Sequence, residues 1–179
     1  GAIGPERVIV RPDGRVVVVE SVIAAALEPL RMSRGQLWER FRVAVPPTAG
    51  SSRFDQVTDV LQLGVLAFSL VVGRPLRADE ILSQRLPDLF EAATADQAAE
   101  GRRFPRALRS WIARALLFES RLAFRTAFDM ERALTAAVSE DGLCRPNAGA
   151  VRAYVVRCAG GSPEAAAAAA AAKFREAAQ

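Results

Sequence analysis

The spacing of apolar and polar residues changes along the chain, and each change marks an element. Valines crowd both sides of Pro12-Asp13-Gly14. Alternation around such a turn predicts a β-hairpin, with arms at Arg7–Val10 and Arg15–Val19. Glu20 through Arg42 is mixed, with a short helix expected near Ser33–Arg42, and Val43–Arg53 is dense in proline, glycine and serine and reads as loop. Next, Val57, Val60, Leu61, Gly64, Val65, Phe68, Val71 and Val72 leave a helix apolar on most sides. A helix of that kind is the buried centre of a domain. Asp55 is suited to cap it and Gly73-Arg74-Pro75 to stop it.

Two short helices are expected at Ala78–Ser83 and Pro87–Ala93, followed by a polar loop over Thr94–Arg103. Pro105–Phe118 is helical, with Leu108, Trp111, Ile112, Ala115 and Leu116 on one face. Thr126-Ala127-Phe128-Asp129 resembles a capping box that opens a helix to about Val138. Beyond Glu140 the character changes. Gly142–Ala150 is linker-like, and Val151–Ala159 fits a strand or a short helix. Ser162-Pro163-Glu164 precedes a run of eight alanines, Ala165–Ala172, which is helix-prone and also fits a low-complexity linker. The organisation expected is one mainly helical domain over 1–140 and a linker with an alanine-rich helical tail over 141–179.

Composition narrows the functions. At 179 residues and 51% hydrophobic, the chain has material for one good core. Val57–Val72 is shorter than the roughly 20 residues of a bilayer span, and Asp59 and Gln62 interrupt it, so a soluble, cytoplasmic protein is expected. The net charge is +4, and the positive charge is almost all arginine, Lys173 being the single lysine. With so much alanine, this reads as the imprint of a GC-rich bacterial genome rather than a nucleic-acid footprint. No aromatic interleaving or nucleic-acid motif accompanies the charge. With no histidine, and only Cys144 and Cys158 as cysteines, the chain offers no histidine-based nucleophile and no metal-site pattern. Neither a G-x-x-x-x-G-K-[ST] loop nor G-x-G-x-x-G is present. No catalytic, cofactor-binding or metal-ligating residue is assigned, and no cofactor is expected.

Four segments, in order, carry a resemblance. Pro5-Glu6 through Glu20 resembles K-P-E-N-I-L-L…G-x-V-K-L-I-D. Val45-Pro46-Pro47 stands in the place of A-P-E. Thr58-Asp59-Val60-Leu61-Gln62-Leu63-Gly64-Val65 is close to S-D-V-Y-S-L-G-V and is followed by Gly73-Arg74-Pro75-Leu76, as in T-G-x-P-P-F. Ala115-Leu116 through Phe124-Arg125-Thr126-Ala127 is similar to a closing R-F-x-S-A segment. Together they resemble the C-terminal lobe of a bacterial Ser/Thr protein kinase, entered at the catalytic loop, with the ATP-binding N-lobe absent. The resemblance implies a mainly α, kinase-like C-lobe with one β-hairpin near its start.

It also implies that the chemistry has gone. Ala2 stands where the family has its catalytic aspartate, Gly4 where it has the loop lysine, and Arg7 where it has the metal-binding asparagine. Glu20-Ser21-Val22 falls on D-F-G. Phosphoryl transfer rests on positioning and charge neutralisation, so these changes remove most of it. The A-P-E glutamate and its buried arginine partner are replaced by Pro47 and Ala123. Losing both is near neutral, whereas losing one strands a charge at about 3–5 kcal/mol. Asp59 is retained, and the family role implies that it accepts backbone N–H bonds from the loop near Gly1–Ile3.

The function implied is a non-catalytic kinase-like (pseudokinase) C-lobe, a protein-interaction or scaffold module within a larger chain or assembly. The alternative is part of a protein kinase whose ATP-binding lobe lies upstream of residue 1. Leu82, Leu86, Leu89 and Phe90 are candidates for docking, against packing on the central helix. The arginines at 102, 103, 106, 109 and 114 read as a solvated face, with Arg106 and Arg109 on one side able to meet an acidic partner or a headgroup. Because the helix that precedes a kinase catalytic loop is missing, Val60, Phe68 and Val71 are expected to need a cover from upstream sequence or another subunit.

Overall fold

A computed structural model of the chain describes residues 1–20, 22–47, 53–83, 85–99, 104–140 and 148–158. Side chains of 96–99 and of 148 are outside that description. The chain is mainly helical, with one antiparallel hairpin. In order, the elements are β1 (Val8–Val10), β2 (Val16–Val18), α1 (Ile23–Leu27), α2 (Arg34–Phe41), α3 (Gln56–Val72), α4 (Ala78–Leu82), α5 (Leu86–Ala99), α6 (Arg106–Ala115), α7 (Ala127–Glu140) and α8 (Ala148–Cys158), with short 3-10 turns at Pro5–Arg7 and Glu28–Leu30. They form two compact units: Gly1–Arg7 with Glu20–Leu143, and Val8–Val19 with Cys144–Gln179.

In the second unit, Val8 pairs with Val18, Ile9 with Val17 and Val10 with Val16. The turn closes through Arg11 N–H to Arg15 O (2.8 Å) and Gly14 N–H to Arg11 O (2.9 Å), while Asp13 Oδ1 accepts from Arg15 N. Residues 151–158, open to either period, lie in α8, which already starts at Ala148 within the stretch read as linker; residue 159 lies outside the described residues. The alanine run 165–172 lies outside the described residues.

The first unit is built on α3. Asp55 Oδ1 accepts from Thr58 N (3.0 Å), which starts the helix at the expected place, and Gly73 ends it with a positive φ of 74°. Eight of its residues are buried, more than in any other described element. Phe68 meets Phe90 edge-on at 5.2 Å between ring centroids, and Phe90 meets Phe118 at 5.7 Å. Where α3 crosses α6, a Cβ on Gly64 would lie 2.8 Å from the Ala115 carbonyl carbon and 2.9 Å from its Cβ. Mid-helix glycine costs about 1 kcal/mol in propensity, and this close approach of two backbones is what it permits.

Local chemistry sets the flanking helices. Ser33 and Gln36 form a reciprocal capping box on α2, and Thr126 Oγ1 accepts from Asp129 N (3.1 Å) to open α7. Trp111 Nε1 donates to Met130 O (2.8 Å), fixing α6 on α7. After α3, Arg74 grips Glu80 through two guanidinium bonds of 2.8 and 2.6 Å, and the Arg77 N–H adds a third at 2.7 Å. The Arg74 bonds first, then the Arg77 N–H and the nearby positive charges, hold the buried Glu80 carboxyl down to about 2 against the opposing effect of burial.

Two expectations fail. The stretch from Thr94 is not loop throughout: α5 continues to Ala99, because Thr94 Oγ1 donates to the carbonyls of Phe90 and Glu91 (3.0 Å each) and so has no need of a turn. Nor do Val60 and Phe68 wait for a cover. Both are 0% exposed, packed with Phe90, Ile112 and Leu116, and Val71 is partly buried against the same cluster. Phe90 of α5, against Phe68, supplies part of that cover from within the chain. Leu70, at 77% exposed, is the large apolar residue of α3 that faces outward.

Gly64→Ala should lower stability by about 1–3 kcal/mol despite its better helix propensity, read as a lower denaturant midpoint with an unchanged slope. Glu80 contributes stability above its ordinary value of about 4.5, and that contribution is lost as pH falls from there toward 2. Glu80→Gln should cost about 2 kcal/mol at neutral pH and flatten that acid limb in pH-dependent melting.

Candidate functional site

Seven residues at the start of the chain lie against α3 and the segment after α2. Ala2 is wholly buried, in a small core with Ala24, Leu27, Leu37, Val43 and Val45. A methyl side chain suits that place, and it carries no group able to accept a proton. Gly4 is also buried. A Cβ there would sit 3.0 Å from the Arg42 carbonyl oxygen and 3.5 Å from Arg7 Nη1, so a lysine at this position requires the loop to move.

Two side chains of α3, one helical turn apart, hold this loop. The amino group of Gly1 pairs with Asp59 Oδ1 at 2.5 Å, at the expected place but as an ion pair rather than the expected backbone N–H bond, and the carboxylate is half-buried at 31% exposure rather than enclosed. Ile3 N–H donates to Gln62 Oε1 at 2.6 Å, and Gln62 Nε2 donates to the Ala44 carbonyl at 3.1 Å inside the core. Sequence reasoning missed Gln62, which reads as an interruption of an apolar run. A wholly buried amide needs partners at both ends, and that requirement was the available signal.

Arg7 and Glu20 close the arrangement. Arg7 is buried, and its Nη1 donates to the Phe41 carbonyl (2.7 Å). Its Nε has no hydrogen-bond partner and faces Glu20 Oε2 across 3.7 Å. The pair compensates charge without a close bond. Glu20 has φ of 54°, in the left-handed region that costs a non-glycine residue about 1–2 kcal/mol. A guanidinium beside the Glu20 carboxylate opposes a divalent cation there. Among the described residues no group of three or more histidines, cysteines, aspartates or glutamates is placed to hold a metal.

The candidate docking residues take the bland reading. Leu86 and Phe90 are buried and Leu82 and Leu89 are partly buried on the main core, so the proposed docking residues pack inward. Arg109 Nη2 bonds Glu91 Oε2 on α5. Arg106 and Arg114 line a cleft between α6 and α7, while residues 102 and 103 lie outside the described residues. No helix among the described residues is long and apolar enough to cross a membrane. Comparison of the chain with family models, curated proteins and solved structures gave no match in any of the three.

Gln62→Ala should cost about 2–4 kcal/mol, since it leaves the Ile3 N–H and the Ala44 carbonyl unpaired. Asp59→Ala should cost less, and Asp59→Asn less again, because the carboxylate is partly solvated and an amide oxygen still accepts. Equal, near-zero effects of all three in chemical denaturation contradict this ranking.

Proposed function

We propose that the chain is a kinase-like C-lobe that has given up phosphoryl transfer and works as a protein-interaction module. The observation that carries this reading is the loop Gly1–Arg7 itself. It is docked on the central helix through Asp59, the residue that the resemblance assigns to that task. Its side chains, however, are those of a packing element. The position of the base is a buried alanine, the position of the lysine is a glycine pressed toward the Arg42 carbonyl, and the position of the metal-binding asparagine is a buried arginine facing Glu20. A phosphate with its magnesium ions needs neutralising groups placed around it, and here a fixed positive charge occupies the place of a metal ligand.

Holding such a loop in place without chemistry has a purpose if the surface is what is used. The module reading follows from that, since a docked loop and a left-handed Glu20 are kept at a cost in backbone freedom.

Adding millimolar ATP with magnesium should leave the melting temperature unchanged, because a ligand that binds the folded state raises stability by mass action. Reproducible stabilisation, or labelled phosphate on the chain or on a general substrate, would favour the enzyme reading instead. Purified from its own cells, the chain should emerge with a protein in fixed stoichiometry. A bare monomer, whichever end carries the tag, counts against the interaction half.

A further inference from the structure

The α6–α7 pair carries a second feature that the loop does not explain. Trp111 locks the two helices together on one side. Beside it they leave two clefts, of about 500 and about 430 Å³, that share Arg114, Ala133 and Ala136 and so form one continuous groove, with Trp111 lining the second. Its lining is Ala133, Ala136 and Ala137 with the buried rings of Trp111 and Phe124. Its rim is Arg106, Arg114, Arg125 and Arg132.

None of the four rim residues forms an ion pair among the described residues, a state they share with Arg31, Arg40, Arg85 and Arg121 of the same unit; what sets them apart is that they surround one groove. Two carboxylates also line the groove: Asp129, which is occupied with the Thr126 hydroxyl (2.8 Å), and Glu140 in the same cleft as Arg106. Two of the four are also held in position. Arg114 Nε donates to Leu122 O (2.8 Å) and its guanidinium lies 4.0 Å from the Phe124 ring centroid, while Arg132 lies 5.7 Å from that of Phe128. A guanidinium stacked on a ring and tied through Nε keeps its terminal nitrogens for an anion and loses little freedom on binding.

From this we infer that the α6–α7 groove binds an acidic peptide segment. The rim is too long for one anion: Arg106 and Arg114 stand eight residues apart on α6, about 12 Å at helical rise. Such a row matches carboxylates spread along a peptide. The alanines of the lining let a peptide backbone or small side chains approach closely. A concave groove does not suit a bilayer surface, and its two aromatic rings, Trp111 and Phe124, are buried and so give a base nothing to stack on. The inference rests on α6 and α7 alone and is independent of the reading of the loop.

The test is fluorescence anisotropy of the whole chain with a labelled helical peptide repeating Glu-Ala-Ala-Leu. The peptide should bind, with affinity falling as salt rises. Reversing the two exposed rim charges, Arg125→Glu with Arg132→Glu, should weaken binding at least about tenfold. Ala136→Trp, which fills the groove and leaves the charge unchanged, should do the same. Arg121→Glu, exposed and outside the groove, should leave the affinity within about twofold. Failure of the peptide to bind overturns the inference, as does an Arg121→Glu loss equal to that of the rim reversal. So does a single-stranded oligonucleotide of equal charge that binds as tightly through the same arginines.

Discussion

Gln62 uses both ends of one buried amide to join three parts of the chain, and the rest of the first unit depends on that join. Its oxygen takes the Ile3 N–H and its nitrogen gives to the Ala44 carbonyl. A primary amide left unsatisfied in a core costs several kcal/mol, so α3 can bury this residue only with the opening loop and the segment after α2 in place together. Asp59, one turn earlier and nearer solvent, fixes the loop's other end. Ala2 and Gly4 then follow from geometry. Between the two tethers at Ala2, and just beyond the second at Gly4, the loop lies so close to its neighbours that small side chains fit best.

Around that join the unit closes on itself. The α3–α6 crossing is set by Gly64 against Ala115, and the aromatic series Phe68, Phe90 and Phe118 brings α5 over the face that would otherwise be bare. The Arg74–Glu80 clamp fixes the turn leading out of α3, so that α4 and α5 can reach that face. Interactions with outside partners therefore fall to surface features rather than to an unfilled core, and the arginine-rimmed groove is such a feature.

Much of this was legible in the sequence where a side chain has a strong local preference. Asp55, Ser33, Gly73 and Thr126 each mark a helix end that the structure keeps, and the apolar run after Asp55 identified the central helix. Legibility failed where identity and local pattern part company. The residues after Ala93 are alanine, threonine, aspartate and glutamine, which suit helix or loop, and only the Thr94 bonds to its own helix decide. The stretch after Ala150 fits both periods equally well. Periodicity identified Val60 and Phe68 as apolar positions but carried no information on what covers them. Gln62 stayed hidden because its partners lie 59 and 18 residues away in sequence.

The functional reading needs a loop that is truly held rather than merely near α3, and one amide reports this. Native-state hydrogen exchange of Ile3 N–H tests it most directly, because an amide bonded to a buried side chain opens only when that contact breaks. The account predicts that Ile3 is protected to the level of mid-α3 amides, and that Gln62→Ala alone reduces it to the level of an open loop. Exchange of Ile3 at an open-loop rate in the unaltered chain, with α3 still protected, would contradict the account.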